Sequence, residues 1–311
     1  MEHFSTELFH VEHYFFKNTV KNSKKDFIFA VQCDIIYLSM NKGGKRMGIV
    51  IGVVNQKGGV GKTTTSVNIA AGLGQLGKKV LLIDFDPQGN ATTGFGIKKK
   101  TLDITTYDVI LGERRPQEAI IETRYKNVSI MPATSQLCEA EQALASFERK
   151  SFQLRKAVLQ IKDDYDIIII DSLPSLGILA MNTMIACDTI IVPMVCEHFA
   201  LEGLAQLMLT IKKVKKKANP DLNIMGIVFT MLDKRLLSSN EIMREIKRSF
   251  DSKALFKTEI PRNVRISEAQ SHGEPIVYYD KASKGADAYK RLSKEILDRC
   301  REMEKKNGEK D

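Results

Sequence analysis

Eight consecutive residues, Lys57-Gly58-Gly59-Val60-Gly61-Lys62-Thr63-Thr64, bring three glycines, two lysines and two hydroxyls together. Glycines let backbone N–H groups close around a phosphate, and a helix that starts at the loop adds a favourable dipole. Lys62 supplies charge to the β and γ phosphates, and the Thr63 hydroxyl stands where such loops ligate magnesium. The general pattern G-x-x-x-x-G-K-[ST] is not met, because Gln56 occupies its first glycine position. The run matches the deviant form K-G-G-x-G-K-T, which carries an additional lysine, here Lys57. A glycine turn with two chance lysines is the bland alternative, and the strand-loop-helix setting argues against it. Carboxylates supply the complement. Asp84 and Asp86 follow a second apolar run, and Asp171 ends a run of four isoleucines, as suits a carboxylate holding magnesium through water. A lone strand-end Asp is usually a turn or cap residue; three converging on one phosphate loop are read as part of its site.

Such a loop needs a strand before it and a helix after it. Residues 49–54 read as a buried strand and 61–76 as the helix. Further apolar runs at 80–84, 128–131, 166–171, 189–193, 224–230 and 255–260 read as strands, with helical sequence between them, including 131–161. A last helix is expected from about 283 to 303. This βαβ series predicts an α/β fold over 47–303, with a mostly parallel sheet and helices on both faces; the glycine loop between its first strand and helix makes it a single P-loop NTPase domain. Residues 304–311 read as a polar C-terminal tail.

Residues 1–46 lack sustained periodicity and end in the linker-like Asn41-Lys42-Gly43-Gly44-Lys45-Arg46, before an abrupt change at Met47. They read either as a short, disordered appendage or as sequence upstream of a true start at Met47. Permitted codons for Leu8-Phe9-His10-Val11-Glu12-His13 include a stretch that is its own reverse complement, which suits translated upstream DNA. A mobile tail with a coincidental hexapeptide is the alternative.

The formal charge of +9 meets the electrostatic minimum for nucleic-acid binding without establishing it. Residues 47–311 hold 40 basic and 33 acidic side chains, so that balance does not depend on the first 46 residues. Five scattered cysteines without a C-x-x-C pair argue for a reducing compartment and against a disulfide framework or zinc site. No apolar run approaches the length of a membrane span, and the N-terminus lacks secretory-signal character. The Lys212-Lys213-Val214-Lys215-Lys216-Lys217 run ends a predicted helix. It reads either as a solvated face favoured by the helix dipole or as a phosphate-binding surface.

Taken together, Asn55 to Thr65, Leu81 to Thr92 and Asp171 to Gly177 resemble the ParA (Soj) family of DNA-partitioning ATPases. So do Thr230-Met231-Leu232-Asp233-Lys234-Arg235, Ile260-Pro261-Arg262-Asn263-Val264-Arg265, Ser267-Glu268-Ala269 and Ser271-His272-Gly273-Glu274-Pro275-Ile276. The resemblance implies ATP and Mg2+ as cofactors and ATP hydrolysis as the activity. It implies a nucleotide-binding set of Lys57, Gly58, Gly59, Val60, Gly61, Lys62, Thr63 and Thr64, with Pro261 flanking adenine. Lys57, Lys62 and Asp86 would be catalytic: Lys57 reaches the ATP of a partner subunit in a homodimer, and Asp86 positions the attacking water. Thr63 and Asp171 would serve the metal. Arg235, Arg262 and Arg265 would bind nonspecific DNA, although each alone also reads as ordinary surface arginine. A ParB-type protein would stimulate hydrolysis, in a cytoplasmic, nucleoid-associated setting with no membrane. Leu173 departs from the family's usual pair of prolines after the acidic strand end, which predicts altered loop rigidity.

Three rivals compete. A MinD-like membrane-positioning ATPase needs an amphipathic C-terminal helix for the bilayer; the stripe Tyr289, Leu292, Ile296, Cys300 and Met303 instead suits packing on the core. An iron–sulfur reductase component needs cluster-bridging cysteines, and Cys138 and Cys187 lack the expected glycine-flanked settings. A DNA-bound regulator using ATP only as a switch would not require an intact Lys57, Lys62, Asp86 and Asp171.

Overall fold

The computed structural model describes residues 48–197 and 199–308; the expectations for residues 1–46 and for the chain's last three residues lie outside them. The chain alternates β1 (Ile49–Val53), α1 (Lys62–Gln75), β2 (Val80–Phe85), α2 (Asn90–Gly94), α3 (Thr106–Ile110), β3 (Ile121–Glu122) and β4 (Val128–Met131). It continues through α4 (Ala140–Ala143), α5 (Gln153–Leu159), β5 (Ile167–Ser172), α6 (Ile178–Ala186), β6 (Thr189–Met194), α7 (Ala200–Lys217) and β7 (Asn223–Phe229). The final elements are α8 (Leu237–Ser249), α9 (Val264–Ser271), α10 (Ile276–Tyr279) and α11 (Lys284–Gly308). The sheet runs β3-β4-β2-β5-β1-β6-β7, parallel throughout except for β3, which pairs antiparallel to β4.

Side chains alternate across a strand, so the four isoleucines of β5 divide between the two faces. Ile168 and Ile170 join Val50, Leu81 and Ile83 beneath Leu154 of α5, Met184 of α6, Leu207 of α7 and Ile246 of α8. Ile167 and Ile169 join Ile51, Val53 and Leu82 beneath Ile69 of α1 and Leu292 of α11. The expected α/β fold with helices on both faces is therefore the observed one. On the second face α1 and α11 approach closely at Gly72, where a Cβ would lie 2.2 Å from Ser293 Oγ.

Three boundaries differ from the sequence reading. Residues 255–260 do not form a strand; they run beside β7 with an isolated bridge from Leu255 to Ile227. Three of their polar groups are taken by α11: Glu295 accepts from Lys257 N and Thr258 N at 2.8 and 3.0 Å, and Arg299 donates to Leu255 O at 2.6 Å. Phe256 N and Ile260 N still donate to Ile227 O and Phe229 O of β7, but Glu295 diverts the Thr258 N–H between them, and the pairing is interrupted. The expected helical stretch after β4 is broken into 3-10 turns and the short helices α4 and α5. The last helix continues past the expected end at Met303 to Gly308, so 304–308 belong to α11 rather than to a separate tail.

Candidate functional site

The carboxyl ends of β1, β2 and β5 lie side by side, with Val53 in register with Asp171 and Asp171 in register with Asp84. The chain leaves β1 into the glycine loop and enters α1 at Lys62, so one sheet edge gathers the loop and the acids. Gly59 and Gly61 have φ values of 73° and 84°, left-handed conformations that favour glycine. Gly61 precedes α1 without any side-chain cap, and the helix's first turn contains no acidic residue. That leaves the positive end of the helix dipole facing the loop.

Fixed contacts hold the loop from below. Asn55 donates to Pro193 O at 2.8 Å and accepts from Lys57 N at 3.0 Å. Thr230 Oγ1 donates to Val60 O at 2.8 Å. Gln56 donates to Gly203 O and to Gln206 Oε1 at 3.1 and 3.0 Å. The segment after β5 closes over the loop, with Pro174 in van der Waals reach of a Cβ placed on Gly58. Leu173, the departure from the family pattern, packs against the core on the α6 face.

The two lysines separate. Lys62 is buried and donates to Lys57 O at 3.1 Å. Burial lowers its pKa, against the opposing pull of Asp171 and Asp86. Lys57 turns away to Glu197, with Nζ 2.5 Å from Oε2, and both side chains remain substantially exposed at 39% and 54%.

The acids differ in surroundings. Asp84 is fully buried and accepts from Thr92 N and Thr92 Oγ1, both at 2.7 Å, which anchors the turn after β2. Burial raises its pKa to about 6 despite those bonds. Asp86 is buried, close enough to influence Lys62, and accepts from Gln88 N at 2.9 Å. Asp171 Oδ1 accepts from Ser66 Oγ at 2.9 Å, whereas Oδ2 is buried without a hydrogen-bond partner. Burial, then the neighbouring Asp84 carboxylate, pushes Asp171 up to about 8; the Thr63 and Ser66 hydroxyls oppose this.

A buried carboxylate oxygen left unpartnered is costly. Beside the Thr63 hydroxyl, it offers hard oxygen donors of the kind that suit Mg2+ directly or through water. The residues present therefore fit a magnesium–nucleotide. No cluster of His, Cys, Asp and Glu arranged to hold a metal by themselves occurs among the described residues. That is compatible with magnesium held mostly by water and phosphate.

The remaining expected residues lie on two neighbouring loops. Leu232 N donates to Ile260 O and Arg262 N to Leu232 O, at 3.0 and 3.1 Å, which fixes Pro261 beside residues 231–233. Those residues flank Gly61, since a Cβ there would meet Met231 and Thr230. Arg235 is bound by both oxygens of Asp233, at 2.9 and 2.6 Å, and its side chain remains 88% exposed. Arg262 is exposed and acts electrostatically on Asp233. Arg265 pairs with Asp280 at 2.8 Å, bonds to Glu268 and lies over the Tyr279 ring. The three arginines are thus exposed or half-exposed, and Arg235 and Arg265 already have carboxylate partners.

Sequence reasoning did not find Ser66, Thr92, Thr230 or Glu197. Ser66 carried a signal in its spacing, one helical turn after Lys62. Glu197 is 140 residues from Lys57 and carried none.

A parallel α/β sheet with a glycine loop, a buried lysine and two buried strand-end carboxylates defines a P-loop ATPase. A family model described as an AAA domain matches residues 48–224. The sporulation initiation inhibitor protein Soj of Bacillus subtilis is 47% identical over 250 residues, covering 80% of this chain and 98% of that protein. The chromosome partitioning protein ParA of Myxococcus xanthus is 43% identical over 258 residues, covering 83% and 91%. The chain belongs to the ParA/Soj family of P-loop ATPases, which take ATP with Mg2+. Among solved structures, cobyrinic acid a,c-diamide synthase from Mycobacterium smegmatis with ADP and magnesium superposes with a TM-score of 0.71 at 33% identity, covering 81% of this chain and 94% of that one. The cell division ATPase MinD of Pyrococcus furiosus gives 0.67 at 28% identity, covering 81% and 99%.

Proposed function

We infer that this ATPase partitions DNA, a chromosome or a plasmid, by pairing two ATP-bound subunits face to face across their phosphate loops. The observation that carries the pairing is the outward course of Lys57. Lys62 already lies in its own subunit's loop, while the Lys57 ammonium points to the rim and is held, among the described residues, by an exposed glutamate. A lysine so placed is available to a neighbouring subunit's nucleotide, where it neutralises charge that develops during phosphoryl transfer.

In this reading the loop from Lys57 to Thr64 wraps the phosphates, and Pro261 flanks the base. Thr63 and Asp171 hold the magnesium, Asp171 through water. Held there, the ion would offset phosphate charge during transfer. Asp86 orients the attacking water, and Asp84 keeps its turn in place through Thr92. Arg235, Arg262 and Arg265 contribute to a sequence-independent DNA surface, Arg235 and Arg265 after giving up carboxylate partners. A ParB-type partner stimulates turnover, and the protein works in the cytoplasm on the nucleoid.

MinD's structural likeness keeps membrane positioning as the alternative, and the last helix argues against it. Tyr289, Leu292, Ile296 and Cys300 of α11 are buried in the core, and among the described residues no helix is long and apolar enough to cross a membrane. Duplex binding with ATP, with ADP and without nucleotide, across a salt series, tests the proposal. Binding that requires ATP, weakens with salt and falls in Arg235→Ala and Arg265→Ala supports it. Hydrolysis without DNA binding in any nucleotide state sinks it.

A further inference from the structure

The end of α7 is a strongly basic surface on the side of the molecule away from the phosphate loop. The helix begins after the carboxyl end of β6 and runs back for 18 residues, about 27 Å at the usual rise. It therefore finishes at the amino edge of the sheet, whereas the glycine loop and the three arginines lie toward the carboxyl edge. Its inward stripe is Ala200, Leu204, Leu207, Ile211 and Val214. From Gly203 to Pro220 the chain carries five lysines and no acidic residue.

One of the five is structurally employed. Lys215 is half-buried and donates to Leu222 O at 2.5 Å, which ties the helix end to the start of β7. Lys212, Lys213, Lys216 and Lys217 are exposed, and none of them pairs with a carboxylate among the described residues. Nearby Asp188 is already taken by Lys162 at 2.8 Å. Lys212 with Lys216, and Lys213 with Lys217, are like charges one turn apart, an arrangement that opposes helix formation. The dipole at a helix C-terminus eases this for one or two cations within the last turn. It gives no reason for Lys212 and Lys213, which lie more than a turn inside the end.

We propose that Lys212, Lys213, Lys216 and Lys217 form a second contact surface for the phosphate backbone of duplex nucleic acid, separate from the arginines near the phosphate loop. The charge is concentrated along about 8 Å of helix, and duplex DNA offers a phosphate charge for every 1.7 Å of its axis. Several flexible ammonium groups thus reach several phosphates at once. Lysines act there as point charges without planar base-reading geometry, so the contact carries no sequence preference. A bilayer fits less well. Leu209 is the one large apolar side chain exposed on α7 beside the lysines, and a membrane-surface helix needs an apolar face. The inference rests on the DNA-binding reading above and deepens it. With basic surfaces on opposite edges, one protein can hold two duplex segments.

The test uses the full chain with ATP, fluorescent duplex of arbitrary sequence and a salt series. Alongside the wild type stand Lys212→Gln/Lys213→Gln/Lys216→Gln, the matching triple change to arginine, and Arg235→Ala. Loss of three phosphate contacts makes the slope of log affinity against log salt shallower by about 2 to 3 in the glutamine variant. The arginine variant keeps the wild-type slope, and hydrolysis without DNA is unchanged in both. A duplex fixed on beads captures a second, labelled duplex through the wild type, and the glutamine variant loses that capture. Unchanged slope and capture in the glutamine variant, with Arg235→Ala weakened, overturns this inference alone. Failure of the wild type to bind DNA overturns it together with the partitioning reading. Loss of binding to phosphatidylglycerol vesicles with duplex binding intact assigns the lysines to lipid and also overturns it.

Discussion

Replacing Asp171 by asparagine should make the nucleotide-free protein more stable near neutral pH while weakening its response to magnesium–ATP. The carboxylate is fully buried, lies in register with Asp84, and leaves Oδ2 without a partner. Burial and Asp84 raise its folded pKa to about 8, from an ordinary carboxylate value near 3.8. Its folded form therefore retains a proton that the unfolded chain has released. The stabilisation associated with that proton is fully present below the unfolded pKa and is lost as pH rises toward the folded one. While one proton separates the states, unfolding free energy falls by about 1.4 kcal/mol per pH unit, or about 2 to 3 kcal/mol from pH 6 to 8. Asp84, raised to about 6, adds to the fall in the lower half of the pH 4–8 window. Asparagine preserves the shape without the charge, so Asp171→Asn should follow a shallower line and exceed the wild type at pH 8. Urea unfolding in EDTA at several pH values measures both lines. Parallel lines for the two proteins would mean that the slope arises elsewhere and that Asp171 is not its source. Adding magnesium and a non-hydrolysable ATP analogue should stabilise the wild type more than Asp171→Asn, and the difference should vanish when magnesium is left out.

Two other changes probe the packing and the outward lysine. Gly72→Ala places a Cβ against Ser293, and overpacking of this kind should cost about 1 to 3 kcal/mol by urea unfolding. Adding Ser293→Gly should recover part of it, and no recovery would place the strain elsewhere. Glu197→Gln removes the exposed partner of Lys57, an ion pair worth at most about 1 kcal/mol, so ATP-driven pairing should tighten by no more than about fivefold per subunit. Sedimentation across a concentration series reads that shift, and weaker pairing would mean that Glu197 helps to form the interface.

The sequence revealed the strands that have helices on both faces, because runs such as Ile167 to Ile170 must be apolar on every side. It also revealed the phosphate loop, where glycines and lysines have narrow uses at fixed spacing. The antiparallel edge strand β3 went unseen, since two residues, Ile121 and Glu122, carry no periodicity. Residues 255–260 look like a strand because their apolar composition suits one; what decides otherwise is Glu295, which takes the Lys257 and Thr258 N–H groups from 37 to 38 residues away. The same distance problem hid Glu197. Local spacing placed Lys57 beside the loop, but its outward course depends on a carboxylate brought from after β6.

Mixing two defective proteins shows whether Lys57 serves the neighbouring subunit. Lys57→Ala keeps its own Asp86 but has nothing to give its partner. Asp86→Ala donates Lys57 but has no water-orienting carboxylate of its own. Each alone should hydrolyse ATP poorly. Paired, the Lys57→Ala subunit receives a lysine and becomes whole. Equal mixing into two-fold dimers should restore about a quarter of wild-type hydrolysis, since half the dimers are mixed and each has one competent site. No recovery at any mixing ratio, although mixed dimers form, would show that Lys57 acts within its own subunit.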